Sequence, residues 1–238
     1  IKEFYGGLPR QGPGSDEITR QALGMLLDLP DCPSVLDVGC GSGMQTRVLA
    51  EETGGNVTAL DVYSFFLHSL KQRDLQRNIQ LVQGTMFNLP FSQESFDLIW
   101  SEGAIYFMGF SEGIQTWKPL LKPGGYLAVT ELSFLTRRLP EAVGDFWAAE
   151  YPKASFIAQN ILSIDEAGYE FVGCFTLPES VWGDLYYWAC DDRCTQMLEL
   201  YPDDKQVEEF VAGTRAEMDL YRRYAQSYGY VFYLMQKP

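Results

Sequence analysis

Three carboxylates and a glycine-rich turn carry most of the chemistry legible in this sequence. The densest group is Val35-Leu36-Asp37-Val38-Gly39-Cys40-Gly41-Ser42-Gly43, an apolar run that ends in three alternating glycines. Glycine is needed where the backbone takes a positive φ or lets a ligand come close. A G-x-G-x-G loop between a strand and a helix sets a nucleotide-type ligand against the carboxyl edge of a parallel sheet. The spacing differs from the G-x-G-x-x-G of dinucleotide binders, where the helix start holds a pyrophosphate. Asp37 stands two residues before the first glycine, where a carboxylate repels phosphate but suits an ammonium or sulfonium group. Asp61 closes the next apolar run, 18 residues after Gly43, and is placed to hold two ribose hydroxyls. Ser101, Glu102 and Tyr106 follow a further apolar run and fall at the same sheet edge. Glu102 is the leading candidate for a catalytic or substrate-orienting carboxylate; capping a helix or contacting a bound amino group are its alternative roles. The only histidine, His68, lies in a helical stretch with Phe65, Phe66, Leu67 and Leu70, which fits a structural role better than a catalytic one.

These residues need a scaffold, and the rhythm of the chain supplies one. Short apolar runs at Ser34–Gly39, Asn56–Asp61, Ile79–Gly84, Ser95–Ser101 and Gly125–Glu131 read as strands. Between them, helices are expected at Met44–Thr53, around Ser64 to Leu75, and near Gly113 to Leu121. Strands alternating with helices mean βαβ units and a parallel sheet buried on both faces. Upstream, Gly6 to Gly14 reads as loop. Ser15 then caps a helix, with Asp16 and Glu17 on its positive end and apolar residues at helical spacing as far as Pro30. After Glu131 the rhythm breaks. Helices are expected at Pro140–Tyr151, Ala154–Ile161, 184–200 and 203–227, and strands at Tyr169–Leu177 and Tyr228–Gln236. No internal repeat or linker is visible.

A ligand that is at once a nucleoside, a cation and an amino acid is S-adenosylmethionine, and the residues point the same way by resemblance. The sequence resembles the class I S-adenosylmethionine-dependent methyltransferases, and within them the small-molecule methyltransferase-domain proteins. Val35–Gly43 matches their first motif and Asp61 the ribose-binding acid. Gln83-Gly84-Thr85-Met86 with Leu89-Pro90-Phe91 matches the adenine segment. Ser95–Ser101 matches the fourth-strand motif, and Leu121-Lys122-Pro123-Gly124-Gly125 the turn before the fifth strand. The order and spacing of all five agree over residues 34–131. Gln11–Ser15 and the block Ser101–Tyr106 fit the small-molecule group. One departure is Thr85, where many relatives carry Asp.

The resemblance implies a three-layer αβα Rossmann-like fold, with a mostly parallel seven-stranded sheet whose last strand is antiparallel, plus helical inserts. It implies one methyltransferase domain over 1–238, with its core at 34–131, an N-terminal flap at 1–30, and cap inserts at about 132–165 and 179–227. The cofactor contacts it implies are Gln11, Asp37, Gly39, Cys40, Gly41, Gly43, Asp61, Val62, Thr85, Met86 and Ser101, and no metal is expected. The acceptor is expected to lie under aromatic residues, for which Tyr5, Tyr106, Trp182, Tyr186 and Tyr187 are the candidates; rings of this kind can enclose a small apolar or cationic molecule. Methyl transfer is a displacement that mainly needs placement, so a histidine-poor chain can perform it.

Composition narrows the partners. Asp and Glu number 32 against 18 Lys and Arg, a formal net charge of −14. A surface that acidic makes nucleic acid and anionic membranes poor partners, and no apolar run is long enough to span a bilayer. A monomer or homodimer acting on a small molecule is expected. Five cysteines, at 32, 40, 174, 190 and 194, suit reduced thiols in the cytoplasm. Cys190 and Cys194 share a helix face, and with Cys174 they could bind a metalloid as thiolates, an alternative substrate for a methyltransferase of this class. A nucleoside-binding module without turnover is the other alternative. An NAD-dependent oxidoreductase is disfavoured by the glycine spacing and by Asp37.

Overall fold

The computed structural model describes residues 2–73 and 78–238. Its core is a sheet in the order β3-β2-β1-β4-β5-β8-β7. The strands are β1 (Ser34–Val38), β2 (Asn56–Asp61), β3 (Ile79–Gln83), β4 (Phe96–Ser101), β5 (Leu121–Phe134), β7 (Glu170–Thr176) and β8 (Tyr228–Gln236). The first five pair in parallel. The last strand, β8, runs antiparallel between β5 and β7. An eighth, two-residue strand, β6 (Ser155–Phe156), adds to β5 outside this path. The chain winds outward from β1 to β3, then crosses back to β4 on the other side of β1. That reversal opens a crevice at the carboxyl ends of β1 and β4, the place where open α/β sheets bind ligands.

Both faces of the central strands are buried. Val35, Leu98, Trp100 and Phe232 face α2 (Asp16–Leu23) and α3 (Met44–Thr53) through Ile18, Ala22 and Leu49. Leu36, Ile99, Val129 and Tyr233 face α5 (Phe110–Trp117) and α7 (Ile157–Glu166) through Ile114, Trp117 and Ile164. A third cluster holds the cap. It joins α1 (Lys2–Gly6), α6 (Glu141–Glu150), α8 (Trp188–Leu200) and α9 (Lys205–Tyr224) through Phe4, Trp147, Cys194, Met218 and Tyr221, and packs them on Leu132 and Tyr228 at the sheet edge.

Most expected elements occur where their periodicity predicts them, and the departures have local causes. Helix α2 stops at Leu23 because Gly24 closes it, donating back to Ala22 and Arg20, so the apolar spacing that continues toward Pro30 is not helical. Residues 2–6, read as partly loop, form the short helix α1. Strand β5 begins four residues before Gly125, because Gly124 takes φ 75° and lets the turn pair with the chain's end. The helix expected at Ala154–Ile161 begins later and runs on to Glu166, since residues 155 and 156 are taken by β6. Helix α8 is preceded by a π-helical turn, Val181–Tyr187. Helix α4 (Ser64–Gln72) follows β2, and its predicted end at Leu75 lies outside the described residues.

Candidate functional site

The glycine loop is built for close approach. Gly39, Gly41 and Gly43 have φ of 73°, 53° and 79°, a region that L side chains rarely enter. The amides of Gly39 and Cys40 donate to the Leu60 carbonyl at 2.8 and 3.0 Å, which ties the loop to the end of β2. Asp61 completes the tie. One carboxylate oxygen accepts from the Gly41 amide at 2.9 Å and the other from the Tyr63 amide at 2.8 Å. Burial raises the Asp61 pKa above its ordinary value, and the backbone amides of Tyr63, Gly41 and Val62 oppose that shift. Each oxygen keeps a further lone pair, so Asp61 can still accept from two hydroxyls.

Around this point lies a cavity of about 530 Å³. Its floor is Gly39, Cys40 and Gly41 after β1, and Asp61, Val62 and Tyr63 at the end of β2. Gly84, Thr85, Met86 and Phe87 follow β3 into one wall, and Glu102, Gly103, Ala104, Tyr106 and Phe107 follow β4 into another. The N-terminal arm closes the top with Tyr5 and Arg10 to Pro13, joined by Phe210 from α9. Gln11 locks the arm to the glycine loop. Its carbonyl oxygen accepts from the Ser42 amide at 2.7 Å, and its amide donates to the carbonyls of Tyr5 and Leu8, each at 3.1 Å. From outside, the Tyr186 hydroxyl donates to the Gln11 carbonyl at 3.2 Å.

Eleven of the residues singled out from the sequence line this one cavity: Tyr5, Gln11, Gly39, Cys40, Gly41, Asp61, Val62, Thr85, Met86, Glu102 and Tyr106. Six others do not. Asp37 is fully buried beneath the loop, where Thr46 and Gln45 donate to its carboxylate at 2.6 and 3.3 Å. Burial pushes its pKa up to about 7, partly opposed by those two donors. It braces the first turn of α3 and is not among the residues that line the cavity. Gly43 shapes the loop, but its α-carbon packs on Leu70. The Ser101 hydroxyl donates to the Val38 carbonyl at 2.9 Å and holds β4 to β1. Trp182 lies in the cap core against Tyr221 and Tyr230. Tyr186 faces a separate recess on the outer side of the arm. Tyr187 donates to Glu217 at 2.6 Å, away from the cavity.

Glu102 is a surface of the cavity and also a structural anchor. One oxygen accepts from Thr19 at 2.7 Å and from the Trp100 indole at 2.9 Å; the other pairs with Arg10 at 2.9 Å. Those three donors join α2, β4 and the N-terminal arm. Cavity residues that sequence reasoning passed over include Arg10, Gln45, Tyr63, Phe87, Phe107 and Phe210. Tyr63 and Phe87 had a usable signal, since each closely follows a recognised motif residue (Asp61, Met86). Phe210 had none, because it comes from a helix 200 residues away from the arm it meets.

The cysteines do not form a thiolate site. Burial pushes the Cys190 thiol up to about 12 and the Cys194 thiol up to about 11, so both stay protonated at neutral pH. Cys174 packs in a different core cluster. Among the described residues no group of three or more His, Cys, Asp or Glu side chains is arranged to hold a metal ion.

The sheet order, the glycine loop over Asp61 and the capped crevice define the class I S-adenosylmethionine-dependent methyltransferase fold. Residues 36–129 match the methyltransferase domain family. The chain is 33% identical over 154 residues to a ubiquinone/menaquinone biosynthesis C-methyltransferase of Legionella pneumophila, covering 58% of this chain and 57% of that protein. It is 32% identical over 121 residues to a demethylmenaquinone methyltransferase of Corynebacterium urealyticum, covering 50% of each. The chain thus spans only about half the length of these curated relatives. In fold it is similar to a methyltransferase of Geobacter sulfurreducens solved with S-adenosylhomocysteine, at TM-score 0.84 and 21% identity over 100% of this chain and 97% of that one. No helix among the described residues is long and apolar enough to cross a membrane.

Proposed function

We propose that the chain transfers a methyl group from S-adenosylmethionine to a small-molecule acceptor. The observation that carries this reading is the juxtaposition at the β1–β4 crevice. A positive-φ glycine loop meets an acid whose two oxygens are oriented by backbone amides, beside a cavity large enough for a nucleoside and a small partner. The residues fit the cofactor. Asp61 accepts from the ribose hydroxyls. Thr85 and the Met86 amide meet the adenine edge. The backbone of Gly39 to Gly41 lies along the amino-acid portion, on a loop where a Cβ at Gly39 or Gly41 would strike Ala104 or Gln11. When bound, S-adenosylmethionine supplies an electrophilic methyl group on a sulfonium.

The chain's own residues do the positioning. The Gln11 and Arg10 anchors hold the arm over the cavity and exclude water. Tyr5 and Tyr106 border the acceptor space. Glu102, held by three donors, acts as a positioning residue that fixes the arm relative to β4. In this reading the protein is one methyltransferase domain, with a flap at 1–30 and caps at about 132–165 and 179–227. Its acidic charge and reduced thiols support a cytoplasmic enzyme, monomer or homodimer, working on a metabolite rather than on nucleic acid.

Calorimetric titration with S-adenosylhomocysteine tests the reading. Wild type is expected to bind at micromolar concentration. Asp61→Asn, which keeps one acceptor for the backbone amides, is expected to weaken binding tenfold, and Asp61→Ala by at least as much. No binding heat with wild type overturns the reading. A nucleoside-binding role without turnover is separated from it by mass spectrometric detection of S-adenosylhomocysteine formed from S-adenosylmethionine across an acceptor panel.

A further inference from the structure

S-adenosylmethionine ends in an amino acid, and the glycine loop has no backbone donor left for its carboxylate. All five amides of residues 39–43 are engaged within the protein, at 2.7 to 3.0 Å. Those of Gly39 and Cys40 donate to the Leu60 carbonyl, that of Gly41 to Asp61, that of Ser42 to the Gln11 side chain, and that of Gly43 to the Cys40 carbonyl. The side-chain amides beside the loop are spent as well. Gln11 donates to the carbonyls of Tyr5 and Leu8, and Gln45 to Asp37 and the Cys40 carbonyl. Loops that lead into a helix often bind anions through free amides. This loop is closed on itself, so an anion in the cavity needs another partner.

Among the described residues that line the cavity, Arg10 is the only basic one, against two acids, Asp61 and Glu102. It stands where the glycine loop meets the end of β4. Gln11, next in sequence, reaches Ser42, and the segment that Arg10 grips, residues 102–104, lies against Gly39 through Ala104. The guanidinium is held at two points. One nitrogen donates to Glu102 at 2.9 Å and another to Asp16 at 3.3 Å. These contacts use two of its five N–H groups and leave three for a ligand. The acids that fix Arg10 have further donors of their own. Asp16 is shared with Arg47, and Glu102 accepts from Thr19 and Trp100.

We propose that Arg10 is the residue that recognises the carboxylate of S-adenosylmethionine, with Glu102 and Asp16 as the positioning residues that fix its guanidinium. Arginine offers the planar fork that suits a carboxylate, and such charge-assisted bonds are among the strongest in proteins. The Glu102 carboxylate beside it suits the ammonium of the same amino acid. The Arg10–Glu102 pair thus presents both charges of an α-amino acid in reverse. The arm that covers the cavity therefore carries the group that reads the cofactor's carboxylate. The inference rests on the reading of the cavity as the cofactor site.

The test is calorimetric titration of the full chain with three ligands. S-adenosylhomocysteine carries both charges, its decarboxylated analogue S-adenosyl-3-thiopropylamine keeps only the ammonium, and methylthioadenosine has neither. Wild type is expected to bind S-adenosylhomocysteine about tenfold or more tighter than the decarboxylated analogue, the size of one charge-assisted contact. Arg10→Met is expected to bind those two within about twofold of each other. Methylthioadenosine reports any general loosening of the arm, and S-adenosylhomocysteine is expected to lose about tenfold more than it does in this variant. Arg10→Lys keeps a cation without the fork and is expected to retain at least about a threefold preference. Equal binding of the first two ligands by wild type overturns the assignment. So does an undiminished preference in Arg10→Met, an equal loss for S-adenosylhomocysteine and methylthioadenosine, or a preference lost as fully in Arg10→Lys as in Arg10→Met. Failure of wild type to bind any of the three would instead overturn the cofactor reading.

Discussion

The positive-φ glycines differ in what they resist. At Gly43, φ is 79° and an added Cβ would run into the Leu70 side chain. At Gly54, φ is 60°, but the nearest atom, the Asp31 carbonyl oxygen, is 4.0 Å away. Gly54→Ala therefore carries only the left-handed penalty, about 1–2 kcal/mol. Gly43→Ala carries that plus overpacking against α4, about 1–3 kcal/mol more. Urea unfolding of the two variants should rank them in that order, and equal losses would mean that Leu70 moves aside freely. The same logic explains Asp37. Its spacing before the first glycine reads as a ligand contact, yet its carboxyl braces Thr46 and Gln45 beneath the loop. The motif is the same in either case, and only side-chain direction separates the roles.

Among the elements, the N-terminal arm is the part that controls access. It is pinned to the sheet by the Arg10–Glu102 pair, and Glu102 is pinned in turn by Thr19 and Trp100. The Glu102 side chain is 3% exposed and that of Arg10 is 14% exposed. Removing Arg10 leaves a buried carboxylate without its counter-charge, a costly change for the contacts that depend on it. Arg10→Ala is expected to speed hydrogen exchange in residues 2–14 at least tenfold while β1 and β4 stay protected, as mass spectrometry would report. Unchanged exchange in the arm would show that Gln11 alone holds it. The sequence announces this arm only as a run of glycines and prolines. Its partners Ser42, Glu102 and Tyr186 lie 31, 92 and 175 positions away, too far for any local pattern to reveal.

The whole molecule carries its negative charge inward as well as outward. Burial pushes Asp37 up to about 7 and Glu131 up to about 8, from ordinary values of 3.8 and 4.5. Asp37 faces Thr46 and Gln45 as donors, with the charges of Glu102 and Asp61 nearby; Glu131 faces Tyr151, which opposes its shift slightly. The folded protein thus keeps protons on these groups that the unfolded chain has already lost. Their contribution is fully present below the unfolded pKa values and is lost as pH rises through the folded ones. Tm is expected to fall between about pH 5 and pH 8, and Glu131→Gln should flatten that slope. A Tm that rises across this window with the same slope in both proteins would contradict the assignment.

The sequence by itself determined the alternation of strands and helices, the five motifs in order, and the glycine loop with Asp61 at its side. These are local properties: strand and helix periods, turn residues and motif spacing operate within a few residues of chain. Eleven cavity residues were legible on that basis. The tertiary structure alone decided which rings face the acceptor space. Trp182 and Tyr187 turn into the cap core, Tyr186 supports the arm from outside, and Phe210 enters from a distant helix. Aromatic residues satisfy a cap core and a binding pocket equally well, so composition cannot choose between them. The choice is made by the packing of α6, α8 and α9 over the sheet edge, where long-range contacts determine which polar atoms are left without a partner.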